Sequence, residues 1–453
     1  MPINTPVPTV VDRAVTELTP DPGNPRSHSR AQVKAIARSI AAFGFNVPVL
    51  IDAGHRIVAG HGRVAAATLL GRTSVPTIML EHLTPTQAKA FMIADNRLTD
   101  TSTWDDRLLG EQLKALAELD LTFSLEATGF SMGEIDFRIE GLVLDGESAA
   151  DPDDAPLPVD QPVTVPGDLW LLGGHRLLCG SALEPAAYAA LLGGDHAAMV
   201  FSDPPYNVRI NGHVSGLGRI RHREFAMASG EMDGAAFTAF LTTACTLMAT
   251  HSERGALHYL CMDWRHLGEL LATGDVVYDS LRNICVWAKD QAGMGSLYRS
   301  AHELVLVFRT RGGNHRNNVE LGKHGRHRTN VWHYPGIAGF RRSSEDGDLL
   351  ALHPTVKPVR LVADAVLDCT MRGDLVLDPF LGSGTTLIAA ERMGRRCAGI
   401  ELDSRYVDTA IQRWTRLTGD AAVLAATGET FEAVAARRQA VMMSATASAE
   451  LAA

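Results

Sequence analysis

A four-residue turn, Asp203-Pro204-Pro205-Tyr206, carries residue types suited to chemistry on a nucleobase. It follows a short apolar stretch, residues 197–201, that has the length of a buried strand. The two prolines fix the backbone and supply no N–H donors, so the carbonyl groups of this turn lack an ordinary partner. Acceptors beside an aromatic ring suit an exocyclic amine, which donates two N–H groups while its base stacks. For the tetrapeptide alone, a plain strand exit is the alternative.

A second turn follows the apolar stretch 375–378 and is rich in small residues. It comprises Asp378, Phe380, Gly382, Ser383, Gly384, Thr385 and Thr386. The glycines allow close backbone approach, and a helix predicted over 385–393 begins there with its N-terminus. Glu401 ends the next predicted strand, at about the interval where an acidic residue meets a ribose diol. A NAD site is the competing interpretation, but Leu387 replaces the third glycine of that motif.

Two basic stretches lie between these turns. Residues 207–225 and 309–342 are rich in Arg, Lys and His, and the second contains the single acid Glu320. Because the chain has a formal net charge of −10, a nucleic-acid surface must be local. The predicted DNA contacts are Arg209, Arg221, Arg223, Arg316, Lys323, Arg326 and Arg328. A solvated loop is the alternative for the first stretch, and the His spacing of the second does not favour zinc.

Composition bounds the class of protein. The 453 residues are 46% hydrophobic and 21% charged, which suits two or three soluble domains. No signal-peptide pattern or membrane-length apolar run is visible, so a cytoplasmic protein without membrane contact is expected. The six cysteines are scattered with no C-x-x-C pair, which predicts reduced core residues and no metal site.

Alternating strands and helices after residue 167 predict an α/β domain with a mostly parallel sheet. Before it, the pattern predicts a helix over 29–43, short strands within 47–80 and a helix over about 62–70. The turn Gly60-His61-Gly62-Arg63 begins that second helix and could hold an anion at its N-terminus. Structural salt bridges are the alternative for Arg63 and Arg97.

Composition shifts predict the domain boundaries. Residues 10–105 form a small α+β domain and 106–144 a helical extension, and the acidic, proline-containing stretch 145–166 forms a spacer. The α/β domain covers 167–419, with 309–345 as a basic target-recognition segment, and 420–453 is an Ala-rich tail.

The first domain resembles the ParB N-terminal domain. Asn24-Pro25-Arg26, Pro48-Val49-Leu50, the 60–63 turn and Asp95-Asn96-Arg97 carry the resemblance over roughly residues 10–105. In that family the equivalent turn lines a nucleotide (CTP) pocket, which implies a nucleotide site at Gly60, His61, Gly62 and Arg63. This chain has His61 and Gly62 where many relatives carry bulkier charged residues.

The second domain closely resembles the beta class of amino-methylating DNA methyltransferases. The 203–206 turn matches their catalytic motif and 378–386 their cofactor motif. His353-Pro354-Thr355 with Lys357-Pro358 matches the motif that packs over the methionine end of the cofactor. The catalytic motif precedes the cofactor motif, with a basic insert between, as in that class. The resemblance implies a Rossmann-like sheet with S-adenosylmethionine as cofactor, and cofactor contacts from His353, Thr355 and Lys357.

The resemblance further implies methylation of the N6 amine of a flipped adenine in double-stranded DNA. Asp203 and the Pro204 carbonyl would accept the amine hydrogens, Tyr206 would stack on the base, and Glu401 would hold the cofactor ribose. Methylation of N4 of cytosine is the nearest alternative, although relatives with that specificity more often have Ser at position 203. An alternative of another class is a DNA-bound nucleotide switch or scaffold with an inactive second domain. The chain could also form a homodimer.

Overall fold

The computed structural model describes residues 9–100, 104–117, 119, 121–144, 161–208, 230–290, 297–319, 321, 328–334 and 357–452. The chain divides into two units, Met1–Glu147 and Ser148–Ala453. Among the described residues, none of the helices has the length and apolar character needed to cross a membrane. The same residues contain no group of three or more His, Cys, Asp or Glu side chains arranged to hold a metal ion.

The first unit contains a four-stranded sheet. Its strands are β1 (Val10–Ala14), β2 (Val49–Ile51), β3 (Ile57–Ala59) and β4 (Ser74–Met79), in the order β1-β4-β2-β3. Its helices are α1 (Arg30–Phe43), α2 (His61–Leu69), α3 (Pro85–Asp100), α4 (Asp106–Ala117) and α5 (Met132–Leu144). The predicted helix over 29–43 is α1: Ser29 Oγ accepts from the Gln32 N–H at 3.1 Å, and Gly44 ends the helix with φ 86°. The sequence did not reveal β1.

The second unit contains a ten-stranded sheet. Its strands are β5 (Leu169–Leu172), β6 (His175–Cys179), β7 (Ala197–Ser202), β8 (Ser252–Met262), β9 (Ser280–Ala288), β10 (His302–Arg309), β11 (Val331–His333), β12 (Leu375–Asp378), β13 (Arg396–Glu401) and β14 (Val423–Leu424). Its helices are α6 (Pro185–Leu192), α7 (Gly234–Thr250), α8 (Leu267–Val277), α9 (Val359–Cys369), α10 (Thr385–Arg392), α11 (Ser404–Thr418) and α12 (Phe431–Ala452). The order is β11-β9-β10-β8-β7-β12-β13-β6-β5-β14.

The five central strands, β8-β7-β12-β13-β6, are mutually parallel. Alternate residues of β7 enter opposite layers, because successive side chains of a strand point to opposite faces. Met199 and Phe201 pack with helices α9, α10 and α11, whereas Val200 packs with α6, α7 and α8. Both faces of the sheet are therefore covered, which confirms the predicted α/β, Rossmann-like fold.

The segment 420–453 contributes to the fold of the second unit, contrary to the predicted tail. Strand β14 pairs with β5 at one edge of the sheet. The Phe431 ring lies 5.3 Å from Trp170 between centroids, and Val434 is fully buried. Arg438 Nη1 is 2.6 Å from Asp168 Oδ2. The predicted domain boundary at residue 419 was wrong. The small residues of this segment give no clear periodicity from which its strand and its partly buried helix could be predicted.

The second unit also begins earlier than predicted. Residues 145–160 of the expected spacer lie outside the described residues. The N–H groups of Val163 and Thr164 donate to the Asp408 carboxylate of α11, at 2.5 and 3.1 Å. Thr164 is buried, so the chain from residue 163 onward is part of the sheet domain.

Candidate active site

The two motif turns meet at one edge of the second sheet. Strands β7, β12 and β13 are parallel neighbours, so their carboxyl ends lie side by side and form what we call the carboxyl edge. Asp203 follows β7, Asp378 ends β12 and Glu401 ends β13. Ser202 Oγ donates to Asp378 Oδ1 at 3.0 Å, which joins the two motifs directly. Residues that the sequence separates widely therefore form one site.

Asp203 accepts a hydrogen bond at each carboxylate oxygen. The Tyr206 hydroxyl donates to Oδ1 at 2.5 Å, and Lys357 Nζ lies 2.5 Å from Oδ2. Burial raises the pKa of the Asp203 carboxyl above its ordinary value, while the Lys357 ammonium opposes that shift. Each carboxylate oxygen can accept more than one hydrogen bond, so acceptor capacity remains for a further donor.

The backbone after Asp203 is shaped by the two prolines and by Asn207. Within the described residues, no N–H or O–H group is bonded to the Pro204 carbonyl oxygen. Asn207 adopts a left-handed conformation with φ 53°, which Asn tolerates better than most residues. Its side chain accepts from the Gly230 N–H at 3.0 Å and donates to the Met232 carbonyl at 2.8 Å. Asn207 thereby ties the end of the turn to the start of the chain leading into α7.

Two charged residues at this site, Glu303 and Lys289, were not predicted from the sequence. Glu303 lies near the start of β10 and pairs with Lys357 Nζ at 2.9 Å and with Lys289. Although burial opposes it, the two ammonium groups lower the pKa of Glu303 to about 2. A single acidic side chain inside an apolar strand was the available signal, because carboxylates are rarely buried unless paired.

The glycine turn after β12 leaves backbone open to a ligand. Gly382 has φ 56°, and a Cβ atom added there would meet no described atom within 4 Å. Gly384 has φ 91°, and a Cβ atom there would lie 2.8 Å from Ala410 Cβ. The first glycine therefore keeps space above the turn, whereas the second allows α11 to pack beneath it. From α11, Arg413 Nη1 donates to the Ser383 carbonyl at 2.8 Å.

The buried Asp378 carboxylate stabilises this turn through hydrogen bonds. Besides Ser202, its carboxylate accepts from Thr386 Oγ1 at 2.6 Å and from the Phe380 N–H at 3.1 Å. Burial raises the pKa of Asp378 to about 6. Thr385 begins α10 without a side-chain cap, so N–H groups of its first turn face the same region. The Phe380 ring packs 6.0 Å from Phe240.

Glu401 lies beside the open glycine. Its Oε2 accepts from the Gly382 N–H and its Oε1 from the Asp403 N–H, both at 2.8 Å. A carboxylate fixed beside an exposed glycine backbone at a strand end fits the hydroxyl groups of a cofactor ribose. Of the predicted cofactor residues, 378–386 and Glu401 come together here, Lys357 contacts Asp203, and His353 and Thr355 lie outside the described residues.

The predicted DNA contacts need correction at two positions. Arg209, Arg221, Arg223, Lys323 and Arg326 lie outside the described residues. Strand β10 runs antiparallel to β8, so Arg309 ends it at the amino edge of the sheet. The Asn318 N–H bonds the Asp368 carbonyl at the end of α9, so the chain around Arg316 also lies there. About 20 Å of strand separates Glu303 from Arg309, so Arg316 does not line the carboxyl edge.

Arg328 forms ion pairs with other residues of the protein. Its Nε lies 2.8 Å from Asp368 Oδ2, and its Nη1 lies 3.3 Å from Asp364 Oδ2. The guanidinium also stacks over Trp332, 5.2 Å from the ring centroid. These contacts hold β11 against α9. They explain why residue 328 is basic without any contact to DNA.

In the first unit, the predicted turn begins α2. Gly60 has φ 104° and places no capping side chain at the helix N-terminus. The His61 ring accepts the Asp21 N–H at Nε2, 3.2 Å away. Arg63 is half-buried, its charge is close to Asp95, and its Nε has no hydrogen-bond partner within the described residues. A Cβ atom at Gly62 would lie 3.0 Å from Ile36 and 3.1 Å from His28, so a bulkier residue there would require these two side chains to shift.

The sequence matches two family models, one in each unit. Residues 4–96 match the ParB N-terminal domain, and residues 197–412 match a DNA methylase model. The ParB-like nuclease domain-containing protein YnaK of Escherichia coli (strain K12) is 49% identical over 78 residues, which are 17% of this chain and 90% of that protein. The type II methyltransferase M.ScaI of Streptomyces caespitosus is 37% identical over 90 residues, 20% of this chain. That match spans only 29% of M.ScaI.

A similar solved structure is TTHA0409 from Thermus thermophilus, described as a putative DNA modification methylase complexed with S-adenosyl-L-methionine. It is 24% identical with a TM-score of 0.37, and the match covers 56% of this chain and 96% of that one. DNA methylases of the matched family take their methyl group from S-adenosylmethionine. The two family matches and the joined motif turns at the carboxyl edge agree with each other. Residues 197–412 of this chain therefore form a DNA methylase domain of the N6/N4 family, and residues 4–96 ahead of it form a ParB N-terminal domain.

Proposed function

We propose that this protein methylates the N6 amine of adenine in double-stranded DNA. The observation that carries the proposal is a pair of acceptors at the carboxyl edge. The Asp203 carboxylate keeps acceptor capacity beyond its bonds to Tyr206 and Lys357, and no donor is bonded to the Pro204 carbonyl within the described part of the chain. Both stand one strand away from the glycine turn that follows β12 and two strands away from Glu401 at the end of β13. An amine bound by these acceptors would face a cofactor held by that turn.

S-adenosylmethionine supplies an electrophilic methyl group when it is bound. Asp203 and the Pro204 carbonyl accept the two N–H groups of the amine, which draws the nitrogen lone pair out of conjugation with the ring. Positive charge grows on that nitrogen during the reaction, and the fixed Asp203 carboxylate stabilises it. The Tyr206 ring supplies a stacking surface for a base taken out of the duplex. Positioning and electrostatics together suffice for transfer without a covalent enzyme intermediate.

The choice of adenine over cytosine is argued from Asp203, since similar enzymes specific for cytosine N4 more often carry Ser there. The test incubates the full chain with duplex DNA and tritium-labelled S-adenosylmethionine, followed by digestion and separation of the nucleosides. Label in N6-methyl-2′-deoxyadenosine supports the proposal. Label in N4-methyl-2′-deoxycytidine assigns the other amine, and no label on any duplex would favour the DNA-bound switch or scaffold.

Cofactor binding should depend on pH through Glu401. Burial raises the pKa of this carboxyl to about 7, while the N–H groups of Asp403 and Gly382 oppose the shift. The ionised form accepts ribose hydroxyls more strongly than the protonated form. The dissociation constant for S-adenosylmethionine should therefore increase about tenfold from pH 8 to pH 6, measured by isothermal titration calorimetry.

Glu401→Gln provides the control for this measurement. The variant should bind the cofactor more weakly, with a dissociation constant that hardly changes over the same range of pH. Asp403 would not replace Glu401 in the titration, because Arg405 Nη2 pairs with its carboxylate at 2.6 Å. An unchanged pH dependence in the Gln variant would assign the titration to another group.

A second proposed activity is nucleotide binding by the ParB domain. It is favoured by Arg63, a half-buried residue whose buried Nε has no partner within the described residues and which lies in the first turn of a helix without a side-chain cap. Buried guanidinium donors are costly to leave unpaired, and phosphate oxygens satisfy them well. The resemblance to the ParB family makes a nucleoside triphosphate such as CTP the ligand to test.

Arg63→Ala should weaken CTP binding by about tenfold or more, because it removes a charge-assisted contact to phosphate. Arg38→Ala is the matched control, since Arg38 is an exposed arginine on α1. Binding is measured by calorimetry with the full chain. Equal affinity of both variants would remove Arg63 from the nucleotide site.

A further inference from the structure

Lys357 is buried between two carboxylates at the carboxyl edge. Its Nζ lies 2.5 Å from Asp203 Oδ2, 2.9 Å from Glu303 Oε2 and 3.1 Å from the Tyr206 hydroxyl oxygen. Only 4% of its side chain is exposed. An ammonium group has three N–H donors, and each of these three acceptors lies within hydrogen-bond distance of it. The described contacts therefore direct Lys357 toward Asp203.

Glu303 completes a cluster with equal numbers of positive and negative charges. Its carboxylate lies between Lys357 and Lys289, and its side chain is 9% exposed. Lys289 also lies over the Trp287 ring, with Nζ 4.5 Å from the centroid. The charges of two carboxylates and two ammonium groups thus cancel in a largely buried cluster. An unpaired charge in such a place would be costly.

We propose that Lys357 and Glu303 are positioning residues for methyl transfer: Lys357 holds the Asp203 carboxylate in place as an acceptor, and Glu303 holds Lys357. The inference rests on the proposed methyl transfer at Asp203. It gives Lys357 a role other than cofactor contact. It also gives a role to Glu303 on β10, which lies outside the known motifs.

The cluster matters because the Asp203 carboxyl accepts hydrogen bonds from an amine more strongly when it is deprotonated, and protonation turns one of its oxygens into a donor. Burial raises the pKa of Asp203, the Lys357 ammonium lowers it, and the Glu303 carboxylate raises it. The charged and titratable groups around Asp203 are Tyr206, Lys357, Glu303 on β10, Cys261 on β8 and Asp378 on β12, with Lys289 paired to Glu303. Removing Lys357 and removing the charge of Glu303 should therefore shift the pKa of Asp203 in opposite directions.

The test compares pH profiles of kcat for the full chain, Lys357→Met and Glu303→Gln, all with saturating cofactor and duplex. Lys357→Met should lower kcat about 10²-fold and move the acid limb of the profile up by about one pH unit or more. Glu303→Gln should lower kcat less and move the acid limb to lower pH. Both variants should bind S-adenosylmethionine within about threefold of the wild-type dissociation constant, because neither side chain is assigned to the cofactor.

Lys357→Met leaves two carboxylates facing each other, so its thermal melt is recorded in parallel. If it does not fold, the double variant Lys357→Met/Glu303→Gln continues the test, because it again balances the charges of the cluster. This variant should fold and keep a low kcat, since no ammonium group then holds Asp203 Oδ2. Wild-type kcat in the double variant would overturn the inference.

Two further results would also overturn it. One is a shift of the acid limb in the same direction in both single variants. The other is a loss of cofactor affinity in Lys357→Met as large as its loss of kcat, which would return Lys357 to the cofactor site. A wild-type protein that labels no DNA would instead count against the proposed function, so the two failures are distinguishable.

Discussion

Replacing Asp203 by Ala should lower kcat for methyl transfer by about 10²- to 10³-fold or more, since it removes the fixed negative charge beside the amine. The dissociation constant for S-adenosylmethionine should stay within about threefold of the wild-type value, because the glycine turn and Glu401 are untouched. Incorporation of tritiated methyl groups under single-turnover conditions measures the first quantity, and calorimetry measures the second.

Asp263→Ala is the matched control for Asp203→Ala. Asp263 follows β8 at the same edge of the sheet, but its side chain caps a short helical turn by accepting the Arg265 N–H at 3.0 Å. Its loss should cost about 1 kcal/mol of stability and little kcat. Near-normal methyl incorporation by Asp203→Ala would refute the assignment of Asp203 to the base amine.

Ending the chain after Gly419 should prevent the second unit from folding stably. The deletion removes β14, the buried side chains Leu424 and Val434 and the partly buried Phe431, together with the Arg438 partner of Asp168. Burial of three such apolar side chains contributes about 5–9 kcal/mol. That amount is comparable with the entire stability of a typical domain, about 5–15 kcal/mol.

A chain ending at residue 441 is the control, because it keeps Arg438 and every apolar side chain named above. Scanning calorimetry of the two truncated proteins measures the outcome. The chain ending at 419 should lack the melting transition of the methylase unit, and the chain ending at 441 should retain it. Retention of that transition within about 3 °C of wild type after the deletion at 419 would show that this segment is dispensable.

The same contacts determine how the methylase unit can be separated from the ParB domain. Residues 167–419 omit Val163 and Thr164, whose N–H groups bond Asp408, as well as the C-terminal strand and helix. A fragment beginning at residue 161 and ending at 453 keeps all of them. We therefore expect any methylase activity that is independent of the ParB domain to be found in the longer fragment.

Local pattern was sufficient for the motifs and for most elements around them. Ser29 and Gly44 bound α1 because capping is a short-range property of a side chain and the backbone next to it. Asp203, Asp378 and Glu401 could be placed together because each follows an apolar strand of a parallel sheet, and such strands end at one edge. The small residues around β14 gave no comparable signal, since its pairing with β5 depends on a distant part of the chain.

The charged cluster and the position of the basic insert depended on strand direction. Beyond β8 the sheet becomes antiparallel, so the beginning of β10 reaches the edge at which β7 ends. Glu303, near the start of its strand, therefore meets Asp203, just after the end of β7, and the chain around Arg316 is carried to the opposite edge. Nothing in the period of an apolar strand encodes its direction. The amino-acid sequence by itself determined the family, the two motifs and the methylase fold, whereas the tertiary structure alone decided which charges surround Asp203.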